Sequence, residues 1–357
     1  MIPLAEVLRR HWPAYELKYR ARLLPSHRRA VAAILSCRTP ALGGQLYRCD
    51  CGKEHYAYHS CNHRACPQCG HADATEWLQR QRQRLLPVPY YLVTFTVPQQ
   101  LRKIIRSNQK VLYALLLTHS AHALLDVARD HKDLGAKIGL MAVLQTWTRD
   151  LRYHPHVHCI VPAGGLSPDN LRWLNPKREN YFLPQAALAM RLRTRLKEAL
   201  QQDHPALLAQ IPPGAWSVDW VADVQPVGTG EPALKYLAAY VYRTALSAQR
   251  ILSDDPQGLT FSFRDNTGRN QTATLSPQNF LHRFLQHVLP RGFQRIRYFG
   301  FLSAAAKNKW LRVRALLDWT PPPLKSPPPI PAPVCPICKK PMLLIGELAR
   351  APPRYCR

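Results

Sequence analysis

Residues 154–165 read HPHVHCIVPAGG, and the folding of that run decides the rest. The stretch Val157–Pro162 (VHCIVP) is rich in Val and Ile, so it reads as a strand. Alternate side chains of a strand share a face, which puts His154, His156 and His158 on one side and Val157 and Cys159 on the other. Imidazoles two residues apart on rigid backbone suit a divalent cation. The bland alternative is a set of satisfied core histidines beside a turn, a weaker reading for three on one face. A catalytic metal takes about three protein ligands and keeps one position open, so His156 and His158 alone are incomplete. The preceding strand, Ile138–Thr148, is joined to them by a charged turn at Arg149–Pro155. Across that hairpin Gln145, in MAVLQTWT, can sit opposite the histidines and offer an amide oxygen to Mg²⁺ or Mn²⁺. It reads equally well as an ordinary polar strand residue.

The second informative stretch is KYLAAYVYRTAL at 235–246, within a helix expected over Glu231–Ala245. Thr229 or Gly230 caps it and Pro232 lies in its first turn. At about 100° per residue, Tyr236 and Tyr240 share a helix face, and Tyr242 lies on the other side. Two phenols on one face can reach a single phosphate, and tyrosine is a competent covalent nucleophile when a base or metal assists it. An aromatic pair four apart is also ordinary core packing.

The chain has 357 residues, with 49 Lys+Arg against 22 Asp+Glu, a net charge of +27. Such a field attracts polyanions, nucleic acid above all. A membrane partner is not expected: the longest uncharged apolar stretch, Val111–Leu125, is short for a span and contains His119 and His122. The opening residues MIPLAEVLRRHW carry charge where a signal peptide has its apolar core, so a cytoplasmic location is expected. Ten cysteines in that compartment point to metal rather than to disulfides.

Five of the ten read C-x-C-x9-C-x4-C-x2-C: Cys49, Cys51, Cys61, Cys66 and Cys69. A CPQCG knuckle with an upstream cysteine pair is zinc-ribbon-like. The favoured set is Cys49, Cys51, Cys66 and Cys69, about one zinc ion per chain, with Cys61, His63 or His71 as substitutes. Cys335 and Cys338 (CPIC) lack a nearby second pair, and only Cys356 could join them, so that knuckle reads as vestigial as readily as functional. Cys37 and Cys159 are expected in the core.

The chain then divides into a helical segment 1–45 with a break near Pro13, a zinc-binding module 46–84, a catalytic core 85–318, a Pro-rich linker 319–334 and a cysteine-containing tail 335–357. Within the core, Tyr90–Val97 is a strand and 100–131 one long helix; 184–203 is helical, and Trp216–Val224 alternates as a strand. Strands 259–264 and 271–275 form a hairpin, Arg295–Leu302 is a last strand, and 303–317 is helical. The run TPPPLKSPPPIPAP at 320–333 is a stiff linker, because proline supplies no backbone donor.

HPHVHC followed by GG, and KYLAAYVYR some way on, resemble the HUH superfamily of single-strand endonucleases, in which U is a hydrophobic residue, here Val157. The elements YHSCNHRACPQCG, VLQTWTRDLRYHPHVH and RIRYFGFL are similar to those of two-tyrosine rolling-circle transposases, the insertion sequence ninety-one group and its common-region relatives. The resemblance covers about residues 10–317. It implies an α+β fold: an antiparallel HUH-type sheet flanked by helices, with a small N-terminal zinc-ribbon-like module. It further implies that His156 and His158 hold a catalytic Mg²⁺ or Mn²⁺ and that Tyr236 and Tyr240 are the nucleophiles. The implied partners are single-stranded DNA and hairpin transposon ends, at the nucleoid of a prokaryotic cell. A replication initiator or relaxase with the same core, and a non-catalytic zinc-containing DNA-binding relic, are the competing readings.

Overall fold

The protein is described by a computed structural model, covering residues 2–69, 71–178, 180–241, 245–247, 249–265, 267–323 and 331–350; side chains of 71–73 and 239–241 are outside the description. Two helices come first, α1 (Leu4–Tyr19) and α2 (Pro25–Ser36), followed by the hairpin β1 (Gly44–Arg48) and β2 (Glu54–Tyr58). After α3 (His71–Arg82) and β3 (Tyr90–Thr96) come α4 (Gln99–Ser107), α5 (Gln109–Arg129), β4 (Gly139–Trp147) and β5 (Tyr153–Pro162). Short strands β6 (Gly165–Leu166) and β7 (Trp173–Leu174) precede α6 (Gln185–Asp203), α7 (Pro205–Leu208) and β8 (Val221–Pro226). The chain continues through α8 (Glu231–Val241), β9 (Ile251–Asp255), β10 (Gly258–Arg264), β11 (Asn270–Leu275) and α9 (Pro277–Gln286). It ends with β12 (Ile296–Gly300), α10 (Lys307–Leu316) and β13 (Leu343–Leu348).

The central sheet has the order β12-β4-β5-β3-β8, antiparallel throughout. Its two faces are covered by different helices. Val93, Phe95, Leu144, Val157, Cys159 and Val161 are buried on one face against α5 and α6. On the other, Met141, Val143 and Ile160 pack under Leu234, Leu237 and Ala238 of α8, with Trp77 of α3 alongside. A second core joins α1 and α2 to the sheet β11-β10-β9 and to α9, through Leu8, Ile34, Phe261, Phe280 and Phe284 among others. A third sheet, β13-β1-β2, brings the C-terminal strand onto the N-terminal hairpin.

Several elements differ from the sequence expectation. Pro13 does not break α1, because Val7, Leu8, Trp12 and Tyr15 are buried on either side of it and that packing outweighs one lost backbone hydrogen bond. The helix expected over 100–131 is two, parted at Asn108, whose side-chain amide donates to the Ile104 carbonyl at 3.1 Å. The strand expected at Trp216–Val224 begins later: Pro213–Trp216 is a 3₁₀ turn, with Trp216 stacked on Trp220 at 5.6 Å between ring centroids. The hairpin of β10 and β11 gains a third strand, β9. α5 spans 21 residues and is long and apolar enough to cross a membrane, more than the uncharged stretch alone suggested. Here it is the central core helix, with Leu116, Leu117 and Leu124 fully buried.

Candidate metal centre and active site

β5 carries the histidines, and the register fixes their neighbours. His156 lies opposite Gln145 of β4 and Thr96 of β3; His158 lies opposite Val143 and Thr94. Directly paired residues share a sheet face, so Gln145, Thr94, His156 and His158 all stand on the α8 side. Both imidazoles are nearly buried, at 8% and 6% exposure, and their ring centroids are 4.8 Å apart. The third histidine, His154, lies with its ring 5.2 Å from that of His156.

Each ring has its tautomer set by a neighbour. His156 Nδ1 lies 2.7 Å from the His154 carbonyl, a pure acceptor, so Nδ1–H donates and Nε2 keeps its lone pair. His158 Nδ1 is 3.0 Å from Thr94 Oγ1, and its Nε2 is 3.1 Å from Gln145 Oε1. Gln145 is itself aimed, since its Nε2 donates to the Trp147 carbonyl at 3.2 Å. Gln145 Oε1 only accepts, so His158 Nε2–H donates to it, and a cation held between the two atoms would take the place of that proton. Their 3.1 Å separation is that of adjacent ligands around a six-coordinate ion with bonds near ~2.1 Å.

Burial keeps these imidazoles neutral. Desolvation pushes His158 down to about 4 from the usual 6.5. Desolvation first and the neighbouring His158 second hold His156 well below the usual range. His154 is lowered to about 4, by burial and then by Arg102 and Arg152. Neutral imidazole is the form that binds a metal, and two imidazoles with an amide oxygen suit Mn²⁺ or Mg²⁺. The donor set fits such an ion.

α8 lies across this face. With Leu234, Leu237 and Ala238 buried beneath the helix, Tyr236 projects at its edge, 38% exposed. Its ring centroid is 5.9 Å from that of His158, nearly perpendicular at 89°. Tyr240 stands one turn further along the backbone of α8, with its side chain outside the description; Tyr242 lies outside the described residues.

The hairpin turn next to the site is anchored by a residue the sequence did not single out. Buried His287 reaches the Leu151 carbonyl at 3.1 Å through Nε2 and Thr146 Oγ1 at 3.3 Å through Nδ1. Thr94 was also missed. Only strand register, a long-range property, places it behind His158.

Among the described residues the cysteines form two groups of four rather than one. Cys37, Cys61, Cys66 and Cys69 make the first; Cys49, Cys51, Cys335 and Cys338 make the second, with all sulfurs of a group within 4.8 Å of one another. The favoured set is corrected on this point. Cys49 and Cys51 sit at the tip of the β1–β2 hairpin, away from the knuckle of Cys66 and Cys69. Cys37, expected as a core residue, ends α2 with its sulfur 3.3 Å from that of Cys69. Cys61 is a full member of the first group, 3.5 Å from Cys69, and the Cys66 thiol above all holds it down at about 5. His63 belongs to neither group, and its Nδ1 accepts the Ala65 N–H at 3.1 Å. Backbone N–H of Cys338 is the largest influence holding Cys335 down at about 6. Cys159 is buried in the sheet core as expected, and Cys356 lies outside the described residues.

Comparison with known proteins gives the class and then the family. A family profile described as a putative transposase matches residues 139–309, which include the histidines and Tyr236. A second, described as a transposase zinc-binding domain, matches residues 7–97. The chain is 35% identical over 341 residues to the putative transposase y4qJ of Sinorhizobium fredii, covering 89% of this chain and 85% of that protein. It is 30% identical over 302 residues to the transposase for insertion sequence element IS801 of Pseudomonas savastanoi pv. phaseolicola, covering 79% and 71%. No solved structure matches. The chain belongs to the IS91 family of transposases.

Proposed function

We propose that this transposase nicks and rejoins single-stranded DNA by a rolling-circle route, through a tyrosine joined to the 5′ end. The observation that carries this reading is the placement of the Tyr236 ring 5.9 Å from His158, on the same sheet face as His156 and Gln145. His156, His158 and Gln145 would hold a divalent cation, Mg²⁺ or Mn²⁺. Bound there, such a cation supplies charge neutralisation of the scissile phosphate and its leaving oxygen.

In the chemistry that follows, the Tyr236 phenol oxygen forms a bond to phosphorus while the P–O3′ bond breaks. The phenol gives up its proton and the leaving 3′ oxygen gains one, so no co-reactant is consumed. The phosphodiester energy stays in the phosphotyrosine, and a 3′-OH can reverse the step without ATP. Tyr240, on the same helix face by its spacing, would hold a second strand so that cleavage and transfer run in sequence. Arg102 and Arg152, close enough to His154 to bias its protonation, put positive charge beside the path of the strand. The +27 chain would track single-stranded DNA and hairpin transposon ends electrostatically, at the nucleoid in a prokaryotic cytoplasm. Structural zinc at Cys37, Cys61, Cys66 and Cys69 would brace the DNA-recognising module.

The test is a 3′-labelled single-stranded oligonucleotide incubated with the protein and Mn²⁺. The expected result is a protein–DNA adduct that survives boiling in detergent, and its loss in His156→Ala and in His158→Ala with DNA binding retained. Wild-type protein that binds the strand tightly yet forms no adduct would favour a non-catalytic DNA-binding protein.

A further inference from the structure

The second thiol group lies outside both matched family spans on its C-terminal side, since those spans end at residues 97 and 309. Its halves are far apart in sequence: Cys51 and Cys335 are 284 residues apart, yet their sulfurs are 3.6 Å from each other. Cys49 and Cys338 approach to 3.2 Å. A disulfide needs about 2.05 Å, and two sulfurs on a tetrahedral zinc with Zn–S bonds near 2.3 Å are about 3.8 Å apart. The spacing is that of ligands, not of bonded sulfurs.

The backbone shapes both halves for the same task. Cys49 donates its N–H to the Lys53 carbonyl at 2.9 Å, and Gly52 donates to the Cys49 carbonyl at 2.8 Å. Opposite them, Cys335 donates to the Lys340 carbonyl at 2.9 Å and Lys339 donates to the Cys335 carbonyl at 3.0 Å. The residue after each pair is left-handed, Gly52 at φ 84° and Lys339 at φ 60°. These are two tight knuckles facing each other. β13 is then laid antiparallel along β1, from Gly44 opposite Leu348 to Arg48 opposite Leu343. Gly43 makes room for it: at φ 68°, a Cβ there would meet the Leu348 carbonyl oxygen at 2.4 Å.

Side-chain burial alone does not hold this ribbon together. Beneath it the only buried apolar residues among those described are Cys49, Cys335 and Met342, with Tyr47 packed on them. Leu343, Leu344 and Ile345 of β13 are 65%, 52% and 45% exposed. A three-stranded sheet with so small a core is marginal without a staple.

We propose that Cys49, Cys51, Cys335 and Cys338 bind a second zinc ion, which clasps the C-terminal tail onto the N-terminal hairpin. The hairpin that follows α2 and the late strand β13 thereby form one metal-held ribbon, with the five-stranded sheet lying between them in sequence. This inference does not depend on the cleavage chemistry, and its test uses no DNA.

Cobalt reports tetrathiolate sites in the unaltered protein. Titration of the metal-stripped full chain with Co²⁺ should develop thiolate charge-transfer absorbance up to two equivalents. Zinc analysis of the purified wild type should give two ions per chain, and Cys335→Ser/Cys338→Ser should give one. Hydrogen exchange in that variant should show residues 44–48 deprotected, while 139–147 stay protected. Saturation of the wild type at one equivalent, or a tail variant that retains the full zinc content, would overturn the proposal.

Discussion

The strand that carries His156 and His158 rests on two packed faces, whereas the hairpin that carries Cys49 and Cys51 rests on three buried side chains. On β5 the alternate residues Val157, Cys159 and Val161 are clamped under α5 and α6, so the histidines are positioned whether or not an ion is present. In the ribbon the order is reversed: sulfurs 284 and more residues apart in sequence meet, and metal binding would itself supply the folding energy. A preassembled site keeps its shape and changes its chemistry when the metal leaves. A metal-assembled site loses its shape. With a divalent ion at the histidines and zinc at the ribbon, one protein would combine both ways of using a cation.

The largest expected effect breaks this contrast open directly. A strong chelator should strip protection from β1 and β13 in hydrogen exchange while leaving β4 and β5 protected. Loss of protection in both sheets together would mean that the five-stranded sheet also depends on metal for its fold. Next in size is Gln145→Ala, which removes one donor but no strand packing. We expect cleavage in Mn²⁺ to fall by about 10- to 100-fold, with the melting temperature nearly unchanged; an unchanged rate would make Gln145 an ordinary polar strand residue.

The smallest effect is one of pH. His27, His119, His154, His158 and His287 are all lowered to about 4, with burial the leading cause in each. They stay neutral in the fold but take up protons in the unfolded chain below about 6.5. The unfolded state thus binds more protons in this window, and stability falls as pH drops from about 6.5 toward 4. Thermal melts across that range should show a progressive loss. A flat profile would mean the buried imidazoles are more accessible than their packing implies.

The parts of this fold that were legible in the sequence are those fixed by short-range periodicity. The period of two put His156 and His158 on one face, the hairpin brought Gln145 opposite, and the helix expected around Tyr236 is α8, which sets that ring beside His158. What was missed depends on contacts that no local spacing encodes. Cys37 reads as a core residue until the end of α2 is seen beside Cys69. Cys335 and Cys338 read as an orphan knuckle because their partners lie 284 and more residues away. Thr94 and His287 became visible only through register and packing. Pro13 and the late start of β8 failed for another reason: local propensity was outweighed by burial in one case, and a Pro-initiated turn displaced an apparent alternation in the other.

The central claim is that a phenol on α8 attacks DNA over the histidine face, and the adduct formed on single-stranded DNA tests it most directly. Nuclease digestion of the adduct followed by peptide mass spectrometry should place the nucleotide on Tyr236 or Tyr240. Tyr236→Phe/Tyr240→Phe, which keeps both rings and removes both attacking oxygens, should form no adduct, while Tyr242→Phe should behave as wild type. A nucleotide mapped to Tyr242, or an adduct that persists in the double variant, would contradict the account.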